Sequence, residues 1–405
     1  MAGGGGNAGS QALTPMVRVL SISTLYPNDS APNFGIFVER QMQAVAQRGD
    51  ADLVLINPLG IPPWPLSLHP HYRAMTSLPV QELRGGVTVL RPRFRLLPRI
   101  GGRFNPGAIA RSVLSLARPL HGEHSFDLVD AQFFYPDGPA AARIAAELGL
   151  PLSIKARGTD IHYWGHRRGT AGQVLGAGRQ AAGMLAVSAG LADDMSALGL
   201  PRERITIHRT GLDHRSFRPL ERAACREKLG LRPGIPLLVT VGTLVAHKGQ
   251  AYAIDALTHL PDAQLILVGT GPDEAQLRSQ AARLSLTDRV HFLGPVPHAE
   301  LPVLLSAADV FVLPTEREGL ANVWVEALAC GTPVVTTAIP GAAELITDPA
   351  YGRLTPRDST AIADAVRELI AAPPPRNAVA RGAAGFSWDD NAAQLVAHWK
   401  RLAGS

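Results

Sequence analysis

One pattern repeats through most of this sequence: a short apolar run rich in Val, Ile and Leu, then an Ala- and Leu-rich stretch with apolar residues at helical spacing. Short apolar runs that alternate with helices are typical of strands buried on both faces of a parallel sheet. The repeat therefore predicts an α/β protein with two doubly wound parallel sheets. The predicted strands cover residues 17–24, 51–58, 126–132, 150–156, 183–189, 237–243, 263–271, 289–294, 310–315 and 333–338.

Two lobes also fit the length, because 405 residues exceed what one hydrophobic core usually organises. The repeat stops between residues 213 and 236, where the chain is polar, rich in arginine and interrupted by prolines, so we expect a linker there. The predicted organisation is a disordered Gly-rich tail at 1–15, a Rossmann-like N-terminal lobe at 16–212, the linker at 213–236, a Rossmann-like C-terminal lobe at 237–385, and a helix at 386–405 that packs back across the lobes.

The composition narrows the functional classes. With 46% hydrophobic and 18% charged residues, and no apolar run of the ~18 residues that span a bilayer, the sequence predicts a cytoplasmic protein. Cys225 and Cys330 stand far apart without a partner motif, so we expect neither a disulfide nor a metal site. The net charge of +5 favours an anionic partner, such as a nucleotide diphosphate or an acidic membrane.

A lysine follows one predicted strand of the C-terminal lobe. In VGTLVAHKGQAYAIDAL, Gly242 ends the strand, and Lys248 and Gly249 open the next helix. Ligands bind beyond the carboxyl ends of parallel strands, and an ammonium group beside a helix N-terminus can neutralise a phosphate. A solvated loop lysine is the alternative, but lysine is scarce in a chain that has arginine at most basic positions. We therefore expect Lys248 to bind a phosphate.

Two glutamates lie in the segment EREGLANVWVEALACGTPVV, between two predicted strands. If a helix begins near Ala321, Glu318 lies in the loop above it and Glu326 lies one turn inside, so both carboxylates can face one cleft. The free N–H groups at that helix start suit a diphosphate, and the carboxylates can accept from sugar and ribose hydroxyls. The alternative is that both glutamates are solvated. Glu326 stands within the apolar run VWVEALACG, where an unpartnered charge is costly.

The segment VGTGPDEAQL contains half of a dinucleotide-binding glycine fingerprint. It lacks the third glycine, which argues against a nicotinamide dehydrogenase. Gly269 and Gly271 either let a nucleotide approach the backbone closely or form a plain turn.

The chain resembles the family-four retaining glycosyltransferases, the glycosyl transferase group 1 enzymes of GT-B fold, in which two Rossmann-like lobes face a central cleft. In the second half, the motifs that carry the resemblance are VGTLVAHKG, LILVGTGPDEAQL, RVHFLGPV, VFVLPTEREGLANVWVEALACGTPVV and GAAEL. In the first half, they are YPNDSAPNFGIFVERQMQAVAQRG, DLVDAQFFYPDG, ARGTDI, VSAGLADDMSALGL and RTGLDHRSFRP. The likeness covers nearly everything after residue 16, and it is strongest to bacterial members that build surface polysaccharides and exopolysaccharides.

The resemblance implies a donor site in the C-terminal lobe and an acceptor site in the N-terminal lobe. Lys248 would bind the donor diphosphate, Glu326 the ribose hydroxyls and Glu318 the transferred sugar. Amides near Gly35 would close over the phosphates, and residues 294–296 would frame the base. The full set of expected donor-site residues is Gly35, Gly242, Thr243, Lys248, Gly269, Gly271, Val296, Glu318, Gly319, Leu320, Ala321, Asn322, Val323 and Glu326.

Two positions depart from the family pattern. Many relatives have an arginine where this chain has Thr243, so one phosphate-neutralising charge is missing or supplied elsewhere. Many also have a histidine where this chain has Arg157, in ARGTDI. Arg157 could replace the lost charge or act on the acceptor, so we include it with Lys248 and Glu318 among the catalytic candidates. Asp160 either contacts the acceptor in the cleft or caps a helix.

The chemistry of sugar transfer fits these residues. The leaving diphosphate gains negative charge as the bond to the sugar breaks, so a lysine and helix N–H groups are suitable stabilisers. We therefore expect neither a metal nor a cofactor, with the nucleotide sugar as co-substrate. The resemblance implies retention of the anomeric configuration.

The leading hypothesis is a glycosyltransferase that moves a sugar from a UDP- or GDP-sugar to a lipid-linked or polysaccharide acceptor. A nucleotide-sugar epimerase is one alternative, although we identify no acid/base pair for it. A catalytically silent partner protein at the membrane is another, although Lys248 and Glu318 are both present. The sequence leaves the sugar, the base, the acceptor and the oligomeric state open.

Residues 91–118 contain seven arginines and no acidic residue, interleaved with apolar side chains. Such a surface suits peripheral contact with anionic lipid on the inner face of the plasma membrane, where a lipid-linked acceptor would lie. An ordinary arginine-rich surface is the alternative. Nucleic acid is a poorer fit, because no binding motif accompanies the charge.

Overall fold

The computed structural model of the chain describes residues 16–97 and 102–404, so the predicted tail at 1–15 lies outside it. The first lobe is built on an eight-stranded sheet with the order β10-β9-β8-β7-β1-β2-β5-β4, in which β4 alone runs antiparallel to its neighbour. Its strands are β1 Val17–Ile22, β2 Ala51–Ile56, β4 Gln81–Arg84, β5 Val87–Leu90, β7 Leu128–Ala131, β8 Leu152–Ala156, β9 Gly183–Ala186 and β10 Ile205–Ile207. A separate two-stranded sheet pairs β3 Leu59–Ile61 with β6 Arg93–Arg95.

The second lobe is built on a six-stranded parallel sheet with the order β13-β12-β11-β14-β15-β16. Its strands are β11 Leu237–Val241, β12 Gln264–Val268, β13 Val290–Gly294, β14 Val310–Leu313, β15 Val334–Thr337 and β16 Gly352–Thr355. In both lobes the central strands are the apolar runs of the sequence, and every residue of β7 and β14 is buried. The predicted α/β fold of two parallel sheets is confirmed.

Helices cover both faces of each sheet, as crossover connections between parallel strands require. The N-terminal lobe contains α1 Ile36–Arg48, α2 Pro70–Thr76, α3 Asn105–His124, α4 Asp137–Leu148, α5 Thr159–His162, α6 Ala171–Gln180 and α7 Ala189–Ala197. The remaining helices are α8 Arg222–Lys228, α9 Gln250–Ala256, α10 Glu274–Arg283, α11 Leu301–Ala307, α12 Asn322–Ala329, α13 Pro340–Ala343, α14 Ser359–Ala371, α15 Arg376–Ala380 and α16 Trp388–Ala403. Of the helices within residues 16–97 and 102–404, none is long and apolar enough to cross a bilayer.

The segment between the two sheets contains a helix, α8, where the sequence analysis expects only a linker. Arg226 on α8 donates to Asp309, just before β14, at 2.6 Å, and it also donates to Ala307 O at 3.0 Å. Residues 222–228 are therefore held against the C-terminal lobe.

Helix α16 returns to the N-terminal lobe. Ser387 caps it by accepting from Asp390 N at 3.0 Å, which satisfies one of the free donors of its first turn. The helix packs on α1 and β1, and the Trp399 side chain is fully buried there. Trp399 Nε1 donates to Asp130 Oδ1 at 3.0 Å, so the indole also has a polar partner in the core.

Candidate active site between the two lobes

The loop after β11 places Lys248 at the carboxyl edge of the C-terminal sheet. Gly249 ends its short turn at φ +77°, a left-handed conformation that favours glycine. A Cβ at Gly249 would also stand 2.1 Å from Pro314 O, so the loop can approach β14 only with glycine there. The Lys248 side chain is 20% exposed. Burial lowers the pKa of Lys248 to about 8.

Lys248 Nζ contacts the Glu318 carboxylate. The two residues lie in loops after neighbouring strands, β11 and β14, whose carboxyl ends meet at one edge of the sheet. A carboxylate in contact with the ammonium favours its charged form, and this opposes the lowering of the Lys248 pKa by burial. The structure therefore brings together the predicted phosphate ligand and the predicted sugar ligand.

Helix α12 begins at Asn322, one residue after the position expected from the sequence. The N–H groups of Ala321, Asn322 and Val323 have no hydrogen-bond acceptor among the described residues. Glu326 lies one turn inside this helix and its side chain is 12% exposed. A helix start with free N–H groups, the arrangement that the sequence analysis expects to bind a diphosphate, thus lies between the two predicted carboxylates.

Glu326 has a partner that the sequence analysis did not identify. His298 Nε2 lies 2.8 Å from Glu326 Oε1, and the His298 ring packs against Phe217 with a centroid distance of 5.0 Å. A cavity beside this pair is lined by both lobes, including Phe37, Arg40 and Asn322. His298 follows the predicted base-framing residues 294–296, and that position after β13 is the only sequence signal that could have found it.

The glycines after β11 and β12 fit closely against each other. A Cβ at Gly269 would stand 2.2 Å from Gly242 O, and one at Gly271 would stand 2.2 Å from Leu244 O. Packing between the two strand-end turns accounts for both Gly269 and Gly271. Thr243, between these turns, is exposed and supplies no charge.

The loop before α1 approaches the C-terminal lobe. Gly35 has φ +73°, and a Cβ there would stand 2.4 Å from the Leu25 carbonyl carbon, so this turn requires glycine. Asn33 Nδ2 donates across the cleft to Val296 O at 2.9 Å. The Gly35 loop and the predicted base-framing residue Val296 therefore lie on facing walls of one cleft.

Arg157 lies in the loop after β8, and Asp160 lies in the first turn of α5, which follows that loop. Asp160 is buried and accepts from the backbone N–H groups of Phe134, Arg157 and Gly158 at 2.8–3.1 Å. Asp160 thus holds the turn that leads into α5, but it lies inside that helix and is not its N-cap, which is Gly158. Its contact with an acceptor stays a prediction. Arg157 is half-buried, and its guanidinium donates to Gln132, a residue that the sequence analysis did not include.

The lobes are in contact at two further points. A Cβ at Gly158 would stand 2.9 Å from Gly319 N, so the Arg157 loop and the loop after Glu318 touch through backbone alone. Glu344, after α13, accepts from the first N–H groups of α7 at 2.7 and 3.0 Å. A carboxylate at a helix start is a favourable contact, and here it joins the C-terminal lobe to the N-terminal lobe.

Two family models match the chain. The "Glycosyl transferases group 1" model matches residues 221–385, and the "Glycosyl transferase 4-like domain" model matches residues 34–211. TuaC of Bacillus subtilis, whose name describes a teichuronic acid biosynthesis glycosyltransferase, is 30% identical over 359 residues, which are 86% of this chain and 88% of TuaC. A D-inositol 3-phosphate glycosyltransferase of Mycobacteroides abscessus is 34% identical over 206 residues, 49% of this chain and 46% of that protein.

Solved structures have the same architecture. The sucrose-phosphate synthase of Thermosynechococcus elongatus superposes with a TM-score of 0.80 and 21% identity, covering 96% of this chain and 100% of that one. HepE of Anabaena, solved in complex with UDP, superposes with a TM-score of 0.70 and 22% identity, covering 94% of this chain and 98% of HepE.

Two facing parallel-sheet lobes with these matches define a GT-B glycosyltransferase. The chain belongs to the glycosyl transferases group 1 family, the family-four enzymes that the sequence analysis identifies from its motifs.

Proposed function

We propose that this glycosyltransferase moves a sugar, with retention and without a metal, from a UDP- or GDP-sugar to a lipid-linked or polysaccharide acceptor of the cell surface. The observation that carries the proposal is the contact of Lys248 with Glu318 beside the free N–H groups of α12. The similarity to TuaC supports a role in surface polysaccharide synthesis.

The donor lies with its diphosphate between Lys248 and the start of α12. The leaving diphosphate gains charge during transfer, and a partly buried ammonium with oriented N–H groups stabilises that charge without reorganisation. Glu326 accepts from the ribose hydroxyls, oriented by His298, and Glu318 accepts from hydroxyls of the sugar. Lys248 releases part of its contact with Glu318 when the phosphates arrive.

Calorimetric titration of UDP-, GDP- and ADP-sugars tests this site. One nucleotide should bind the wild type at micromolar concentration, and Lys248→Ala and Glu326→Ala should each weaken it by ~1 to 3 kcal/mol, as expected for lost charged hydrogen bonds. Lys228→Ala and Glu227→Ala are matched controls, because both side chains are exposed on α8. If none of the nucleotide sugars binds the folded protein, the proposed function is wrong.

Fewer residues of the segment 91–118 are exposed for the expected membrane contact than the sequence suggests. Arg91 is fully buried and pairs with Glu82 at 2.7 Å, and Phe94 and Ile109 are in the core. Among the described residues of this segment, 91–97 and 102–118, the exposed large apolar side chains are Leu97 and Phe104, at 39% and 55%. The buried residues therefore take no part in the proposed membrane contact.

Strands β3 and β6 run parallel, so the residues after β3 leave the small sheet at the same end as Leu97. Trp64, Leu66 and Leu68 follow β3, and they are 78%, 53% and 61% exposed. From residue 53 to residue 122 the chain has nine arginines and one acidic residue, Glu82. Exposed apolar side chains in basic surroundings support contact of this end of the N-terminal lobe with an anionic bilayer.

A further inference from the structure

The guanidinium of Arg157 is held in one orientation by three contacts. Its Nε donates to Gln132 O at 2.8 Å, and its Nη2 donates to Gln132 Oε1 at 2.8 Å. Its Cζ lies 4.6 Å from the centre of the Phe37 ring. A free arginine side chain loses conformational entropy when a ligand orders it, so these contacts remove much of that cost before a ligand binds.

Gln132 is itself fixed. It is fully buried just after β7, and its Nε2 donates to Asp130 Oδ2 at 2.5 Å. Its Oε1 also accepts from Gln41 Nε2 at 2.9 Å. Because the carboxylate accepts only, the amide nitrogen must face Asp130 and the amide oxygen must face Arg157. The orientation of the amide is therefore determined by its neighbours.

A second layer of buried contacts holds these neighbours. Lys155 Nζ donates to Gln41 Oε1 at 3.0 Å and lies 2.8 Å from His208 Nδ1. His208 Nε2 lies 2.8 Å from Asn391 O on α16. The contact of the Trp399 indole with Asp130 adds another link from α16. The C-terminal helix thus supports this set of buried polar residues at two points.

Burying this set of polar residues is unfavourable for stability compared with an apolar core. Each buried polar group must recover the hydration that it loses, and apolar side chains of similar volume would not carry this cost. Arg157 connects the set to the cleft, because its guanidinium lies over the ring of Phe37, which lines the cavity between the lobes. A Cβ placed on Gly319 of the other lobe would stand 2.9 Å from the Arg157 backbone O. Burial also lowers the pKa of Arg157 to about 10, and an anionic ligand would favour its charged form.

We propose that Gln132 is a positioning residue that aims the Arg157 guanidinium at the donor diphosphate, and that the buried contacts from α16 through Asp130, Gln41 and Lys155 hold Gln132 in place. Arg157 then supplies the positive charge that Thr243 does not. The inference rests on the proposed function, since it requires a nucleoside diphosphate in the cleft.

A double-mutant cycle tests the inference with UDP as the probe, or with GDP if only GDP binds. Arg157→Ala should raise the Kd about 10-fold and Gln132→Met about 3- to 10-fold, as expected for a lost charged contact and a loosened one. In the double variant, Gln132→Met should not raise the Kd further, because the Arg157 guanidinium that Gln132 positions is absent. Gln173→Met, which removes a glutamine amide outside this set, should leave the Kd unchanged.

Trp399→Phe is a second variant that keeps an aromatic ring in the core and removes the donor to Asp130. It should raise the Kd by a smaller factor, and this effect should also disappear in the Arg157→Ala background. Thermal unfolding establishes that each variant is folded.

Three outcomes would overturn the inference: an Arg157→Ala protein with unchanged Kd, a folded Gln132→Met protein with unchanged Kd, or independent effects that multiply in the double variant. The Lys248→Ala result distinguishes these outcomes from failure of the proposed function. If neither UDP nor GDP binds the wild type, the proposed function itself is contradicted and the inference loses its basis.

Discussion

His298, which follows β13, and Glu326, in helix α12, form a pair with Nε2 and Oε1 2.8 Å apart. The pair joins the loop after β13 to helix α12, and it stands in the cavity that both lobes line. A carboxylate held by an imidazole has a fixed orientation toward a ligand.

His298→Ala should raise the Kd for UDP by about 3- to 10-fold, because Glu326 loses the hydrogen bond that orients it. Inorganic pyrophosphate lacks the ribose, so its affinity should stay the same. Calorimetry with both ligands checks this, and His291→Ala on β13 is the control. Equal losses for UDP and pyrophosphate would place His298 at the phosphates instead.

The ionisation of Lys248 predicts a pH dependence. Burial lowers its pKa to about 8, so the free site loses its ammonium as the pH rises through that value. A bound diphosphate favours the charged form, so UDP binding should take up a proton above pH 8 and weaken as the pH rises further. Titration in buffers of different ionisation enthalpy measures the uptake, which should approach about one proton at pH 9.

Lys248→Arg should remove this proton uptake, because arginine stays charged throughout the range. The same uptake in the Lys248→Arg protein would assign the proton to another group.

Gly158→Ala should weaken UDP binding by about 10-fold or more, because the lobes can no longer meet at this loop. The residue has φ +128°, and its Cβ would stand 2.9 Å from Gly319 N. Gly176→Ala on α6 is the matched control, since a Cβ there meets nothing within 4 Å. Calorimetry gives the Kd and thermal unfolding gives the stability. A folded Gly158→Ala protein with wild-type affinity would mean that donor binding does not need this contact.

The double variant Trp64→Asp, Leu66→Asp should abolish binding to vesicles that contain anionic phosphatidylglycerol, because the exposed apolar residues after β3 can no longer enter the lipid interface. Co-sedimentation with vesicles measures the bound fraction, and raised salt should reduce it for the wild type. Leu83→Asp, an exposed apolar residue on β4, is the control. Wild-type binding by the double variant would exclude this end of the lobe as the membrane contact.

The sequence predicts the large sheets well because their central strands are continuous apolar runs, such as Val310–Leu313. It does not predict β3 or β6, which are three residues each and too short to show a period. It also misses β4, β10 and β16, which lie at sheet edges, and β5, which lies beside β4. Short strands depend on the neighbours that they pair with, and those neighbours are distant in sequence.

The residues of the candidate site also fall into those that local sequence patterns predict and those that they do not. Lys248, Glu318 and Glu326 stand in motifs at strand ends and a helix start, so local patterns are enough to find them. The partners of Glu326 and Arg157 come from other segments, 28 and 25 residues away. Asp160 shows most clearly what local patterns cannot predict, because its carboxylate accepts a hydrogen bond from the backbone N–H of Phe134, which is distant in sequence. Hydrogen bonds of this kind leave no periodic trace in a sequence.

Helix α16 has a consequence for the order in which the molecule is made. Its Trp399 pairs with Asp130, and 269 positions of chain separate the two. The ribosome therefore synthesises the whole C-terminal lobe before it supplies the indole that covers Asp130. The lobe that emerges first is completed last, and until translation reaches α16 it exposes the apolar face of α1 on which that helix packs.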